Sequence, residues 1–144
     1  MRHIFRKPFE TIVCANLCKY NRQSDGNWLT RRFKSLVTVA EVRALDPDRV
    51  LIRRRMSAGG SAESRGCEDI IVDRKEQRIE MFLHEDGQPD IREHCSYHAS
   101  EGGTAYRLLS FKLKTSALLR RKIFHWGVGR LEGAIKEIEQ EKPK

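Results

Sequence analysis

The chain has 144 residues, 39% of them hydrophobic, enough to bury one core but hardly two, so the composition predicts a single soluble domain. No segment is long and apolar enough to span a membrane, and the basic start MRHIFRK has no apolar signal-peptide core behind it, which argues against secretion by a cleaved signal. The net charge of +8 is uneven, with +8 over residues 1–58, −5 over 59–100 and +5 over 101–144, a basic balance that attracts phosphates on nucleic acid or on anionic lipid.

In chain order, residues 1–6 read as a strand. Pro8 suits the first turn of a helix because that position needs no backbone N–H, and Glu10 favours the positive end of the helix dipole, so a helix is predicted over 9–20. Eight of its twelve residues are apolar or nearly so (Phe9, Ile12, Val13, Cys14, Ala15, Leu17, Cys18 and Tyr20), which predicts a helix covered on most sides, with Lys19 at its end. After the polar loop NRQSDGN the pattern changes to short runs rich in Val, Ile and Leu. Strands are predicted at 34–45, 49–57, 67–73, 78–84, 91–99 and 104–113, broken by DPD, SAGGSAESRG, RKEQ, EDGQPD and SEGGT. Such close spacing predicts an antiparallel meander. From 115 to 140, Phe124, Val128, Leu131, Ile135 and Ile138 recur at spacings of four and three, the stripe of a long amphipathic helix. The order predicts one α+β domain over 1–144, with a seven-stranded antiparallel sheet (strand 1–6, strands within 34–113) and a long C-terminal helix. A sheet that curls around that helix encloses a cavity.

Strand phase singles out Arg54. In VLIRRRMS, alternation puts Val50, Ile52, Arg54 and Met56 on one face and Leu51, Arg53 and Arg55 on the other. A guanidinium on the apolar face cannot lose its proton, so it needs a carboxylate, with Glu41 across the hairpin the candidate, or an anionic ligand, unless a bulge shifts the phase. The other motifs are weaker. Cys14 and Cys18 stand four apart in a helix while Cys67 and Cys95 stand alone on strands, which reads as small buried hydrophobes and not as a zinc set or a disulfide. His94 and His98 on one strand are about 13 Å apart, too far for one metal ion. The glycines of WGVGRLEG match a nucleotide-binding loop only loosely and lie inside the last helix, where close packing is the better account. No G-x-S-x-G, P-loop or HExxH occurs.

Taken together, His3-Ile4-Phe5, Pro8-Phe9-Glu10, Lys19-Tyr20, the hairpin turn Asp46-Pro47 before Arg54-Arg55-Met56-Ser57, the turn at Ile71-Val72-Asp73-Arg74 and the helix from Gly127 to Ile138 resemble the PRELI-domain family. This is a family of phospholipid-transfer proteins of the mitochondrial intermembrane space. The resemblance implies a START-like, helix-grip fold that extracts an anionic phospholipid such as phosphatidic acid or phosphatidylserine and carries it between membranes, with no bond made or broken and no cofactor or metal. It implies Lys19, Arg54 and Lys122 as headgroup-binding residues, peripheral contact with the membrane surface, and a small helical partner bearing twin Cys motifs as heterodimer partner. In place of the family's lid helix and loop stands SAGGSAESRG. Two alternatives are a degenerate member that only binds a partner and a nucleic-acid-binding module using RRF (31–33), RRR (53–55) and RRK (120–122). No RRM, KH, zinc-finger or helix-turn-helix signature accompanies those runs, so nucleic acid is not expected. An enzyme on the same fold, with His94 or Glu93 as acid or base, ranks last because neither has a visible partner group.

Overall fold

The alternation after residue 33 is realised as one continuous meander. The structure, a computed structural model, describes residues 1–18, 36–57, 65–85, 91–111 and 117–141. Strand β1 (Arg2–Phe5) leads into helix α1 (Phe9–Cys18), followed by β2 (Leu36–Ala44), β3 (Arg49–Ser57), β4 (Arg65–Asp73), β5 (Arg78–Glu85), β6 (Ile91–Ser100) and β7 (Gly103–Phe111), and then the long helix α2 (Ala117–Glu141). All seven strands form one antiparallel sheet in the order β1-β7-β6-β5-β4-β3-β2, so each strand from β2 onward pairs with its chain neighbour and β1 closes on β7. The protein is therefore α+β, and the described residues form an open antiparallel sheet, one short helix and one long C-terminal helix, consistent with the helix-grip expectation. No helix among the described residues is long and apolar enough to cross a membrane.

Local chemistry explains the turns. Asp46 accepts from the backbone N–H groups of Asp48 and Arg49, each at 2.9 Å, and from Arg49 Nε at 2.6 Å, so the DPD segment closes the β2–β3 hairpin through its own carboxylate. Between β6 and β7, Gly103 has φ +151°, and a Cβ placed there would stand 2.1 Å from the Phe5 carbonyl oxygen. Only glycine lets β1 approach this corner.

The register stacks the inward-facing residues in three rows. One runs Val50, Val72, Ile79, Tyr97, Tyr106 and His3; the next runs Ile52, Ile70, Met81, Cys95 and Leu108; the third runs Arg54, Glu68, Leu83 and Glu93. The first two are mostly apolar, and both helices pack on them. From α2 the predicted stripe arrives, with Phe124, Val128, Leu131 and Ile135 buried and Ile138 partly so. A column of rings, Phe5, Tyr97, Tyr106 and Phe124, ties β1, β6, β7 and α2 together at centroid distances of 4.9 to 6.4 Å.

Helix α1 is covered on most sides, as expected, apart from one exposed stripe. It buries Phe9, Thr11, Ile12, Ala15 and Asn16 but exposes Glu10, Cys14 and Cys18 along one stripe. The expectation that all four cysteines are buried therefore holds for Cys67 and Cys95 only. The reason is tertiary: Asn16, 1% exposed, donates from Nδ2 to the Ile12 carbonyl and offers its own carbonyl to a residue of the sheet, so this polar position turns inward and the cysteines turn out.

Helix α2 opens against its own dipole. Its first turn holds no acidic residue, whereas Arg120, Arg121 and Lys122 lie within its first two turns, near the positive end. Each cation so placed forgoes or costs about 0.3–1 kcal/mol.

A candidate ligand cavity between the sheet and the last helix

The third row carries the chemistry. Arg54, 3% exposed, faces inward as strand phase predicts, but its partner is Glu68, also 3% exposed, directly opposite on β4. Its Nε donates to Glu68 Oε1 at 3.0 Å and Nη2 to the same oxygen, while Nη1 and Nη2 donate at 3.0 Å to the carbonyls of Leu17 and Asn16. Those carbonyls end α1, whose last turn has no basic residue of its own. Arg54 thus supplies from across the sheet the cation and the donors that a helix C-terminus lacks. Glu41, the carboxylate expected to pair with Arg54, instead stands opposite Arg53, beyond a register shift between Val39 and Glu41, and its Oε2 is 3.7 Å from Arg53. The hairpin register set at the DPD turn puts Glu41 opposite Arg53, and the bulge beyond it brings Val39 opposite Arg54.

Beyond Glu68 the row opens into a cavity of about 220 Å³ under the first half of α2. Its sheet side is formed by Glu68, Met81, Leu83, Glu93, Cys95, Tyr97 and Tyr106, and its helix side by Ile123, Trp126, Gly127 and Arg130. Tyr106 is the informative member. The residue is 4% exposed, its ring is stacked between Tyr97 and Phe124, and its hydroxyl has no hydrogen-bond partner among the described residues. A hydroxyl that faces a cavity without a protein partner is a donor open to whatever the cavity takes up. Burial first, then the nearby Cys95 and Glu93, push the Tyr106 hydroxyl far above its ordinary range, so it stays protonated and available as a donor. Gly127 keeps the space above it open: a Cβ there would sit 3.5 Å from the Tyr106 oxygen, and a longer side chain would enter the cavity.

Of the residues expected to bind a headgroup, Arg54 and Lys122 are among the described residues. Lys19 lies outside the described residues, as do most of SAGGSAESRG and the basic run 31–33. Lys122 is exposed on α2 and is not part of the cavity wall, and Arg54 is committed to Glu68 and to α1. The cation that the wall does contain, Arg130, was not among the expected residues, nor were Tyr106 and Glu68. Glu68 had a readable signal: it shares the phase of Ile70 and Val72, the same argument that turns Arg54 inward.

On the outer face of the sheet the histidines join polar contacts. His94 stacks on Phe82 with ring centroids 4.4 Å apart and lies 3.4 Å from Glu80, and His84 lies 3.4 Å from Asp69. Burial pushes the Asp69 carboxyl up, but the Arg53 guanidinium, hydrogen-bonded at 2.8 Å, outweighs it and holds the group below the ordinary value.

No protein-family model matches the chain, and no curated protein is significantly similar to it. Among solved structures it is similar to TTHA0849 from Thermus thermophilus, at 17% identity and a TM-score of 0.53, over 99% of this chain and 97% of that one. That likeness carries the fold and nothing about ligand or partner.

Proposed function

We propose that the protein is a lipid-binding carrier that holds part of an amphipathic molecule between the sheet and α2 and changes no bond in it. The Tyr106 hydroxyl, facing the cavity without a hydrogen-bond partner among the described residues, carries this reading: it offers a donor to an acceptor such as a carbonyl, ester or phosphate oxygen, while Met81, Leu83, Ile123 and Trp126 offer apolar surface beside it. At about 220 Å³ the cavity is smaller than the roughly 300–1,000 Å³ of sites that enclose a drug-sized ligand, so a chain segment and its first polar group sit inside and the rest of the cargo outside. Arg54, neutralised by Glu68, is a poor headgroup site on this reading, and an anionic headgroup outside the cavity would meet the exposed Lys122 instead. The anionic phospholipid, the mitochondrial intermembrane space and the twin-Cys partner implied by the resemblance belong to the same proposal.

Native mass spectrometry of protein incubated with vesicles of phosphatidylcholine and phosphatidic acid tests it. Wild type should carry lipid. Tyr106→Phe should lower occupancy about two- to tenfold, the ~0.5–1.5 kcal/mol of one hydrogen bond, and leave the melting temperature of the empty protein unchanged or higher. Gly127→Leu should abolish binding by filling the space. Absence of bound lipid in wild type, or equal occupancy in all three proteins, refutes the reading.

A further inference from the structure

We propose that the first half of α2 is a docking surface for an anionic lipid bilayer. Leu118, Arg121, Lys122, His125 and Trp126 recur at spacings that place them on one side of the helix, and all five are exposed, Leu118 at 64% and Trp126 at 57%. Large apolar side chains interleaved with cations on an exposed helix face match the interface of a bilayer, where a tryptophan sits at headgroup level and cations meet anionic lipid.

Charge is segregated along the helix in the same sense. Residues 117–131 contain Arg120, Arg121, Lys122 and Arg130 and no acidic residue, whereas 132–141 contain four acidic residues and one lysine. The three clustered cations stand where the helix dipole disfavours them, so the folded protein alone gives no reason for their placement. An anionic surface gives one: it satisfies the cations and the positive helix end together. The surface is continuous with the cavity, since Trp126 is both exposed and part of the cavity wall. A docked helix would therefore set the cavity against the bilayer, although docking itself does not depend on what the cavity holds.

The test is co-sedimentation with vesicles of phosphatidylcholine, with and without phosphatidylserine. Wild type should bind only the anionic vesicles, and binding should weaken with added salt. Arg121→Glu with Lys122→Glu, alone or joined by Leu118→Ser, should lower binding at least tenfold. Arg74→Glu with Lys75→Glu, an equal charge change at the exposed β4–β5 turn, should change it less than twofold. In a Trp28→Phe background, which leaves Trp126 as the one tryptophan, emission should shift to the blue on anionic vesicles only. Equal losses in the two charge variants, equal binding to neutral vesicles, an unshifted Trp126 emission, or tighter binding of the same face to a single-stranded RNA oligonucleotide would overturn the proposal. Docking that survives Gly127→Leu while lipid occupancy is zero even in wild type refutes the cavity reading and supports this one.

Discussion

Arg54→Met separates a structural from a ligand-binding role for the one arginine that strand phase turns inward. The substitution leaves the Glu68 carboxylate, 3% exposed, without its guanidinium, and leaves the Asn16 and Leu17 carbonyls at the end of α1 without their donor. Removing one partner of a buried ion pair costs about 3–5 kcal/mol, a large part of the 5–15 kcal/mol that holds a domain of this kind together. At roughly 3–4 °C per kcal/mol for a chain of this length, the melting temperature should fall by about 10–20 °C. Replacing both partners, Arg54→Met with Glu68→Leu, removes the stranded charge and should recover most of the loss, short of about 1–2 kcal/mol for the uncapped carbonyls. Urea unfolding of wild type, Arg54→Met, Glu68→Leu and the double variant gives the coupling energy, expected to exceed about 2 kcal/mol. If Arg54→Met is within 1 kcal/mol of wild type, or the double variant is no better than the single, the pair does not fasten α1 to the sheet. Full stability with lipid binding lost would instead favour the headgroup role that the family resemblance implies.

Two further outcomes follow from the backbone and from one histidine. Gly103→Ala should cost at least about 2 kcal/mol and detach β1, because its Cβ meets the Phe5 carbonyl at 2.1 Å and its φ of +151° strains any side chain; fast amide exchange at residues 104–107 in an otherwise folded protein is the check. Burial first, then the charges of Arg78, Arg107 and Arg2, hold His98 below 6.5, so the unfolded chain takes up its proton more readily than the folded one. Its contribution to stability is whole above pH 6.5 and is lost as pH falls from there toward the depressed value. Urea midpoints at several pH values should therefore fall on acidification, and less so in His98→Gln; an unchanged pH slope in that variant would refute the assignment.

The sheet and the long helix were legible because both rest on periodicity, which burial enforces along whole elements. Position along α1 was not, because counting apolar residues says how much of a helix is covered but not which side. Thr11 and Asn16 go inward and Cys14 and Cys18 outward only because Arg54 reaches the end of α1 from across the sheet. Phase alone placed Arg54 correctly, yet a phase fixes a face and not a partner. The hairpin register from the DPD turn sets Glu41 opposite Arg53, the bulge beyond it brings Val39 opposite Arg54, and Glu68 on the other side is left as the partner. Tyr106 was less accessible still. Its ring alternates into the core as a strand residue should, but that its hydroxyl is left unpaired depends on a glycine from a helix twenty-one positions further along the chain.

Over the cavity, departures from local preference of several kinds fall together. In the first half of α2, three cations face the wrong end of the dipole, two large apolar side chains are exposed, and Gly127 and Gly129 sit in a helix interior at about 1 kcal/mol each relative to Ala. Gly129 has no packing reason, since a Cβ there would meet no atom within 4 Å. The second half buries Leu131, Ala134 and Ile135 in the core it shares with α1, though it too carries an interior glycine, Gly133, and a last turn with Glu139 and Glu141 and no basic residue. What sets the first half apart is the company its departures keep: they lie over the cavity and beside the exposed Trp126, where a binding site and its approach to a membrane would place them, because real proteins break local rules chiefly where function asks for it.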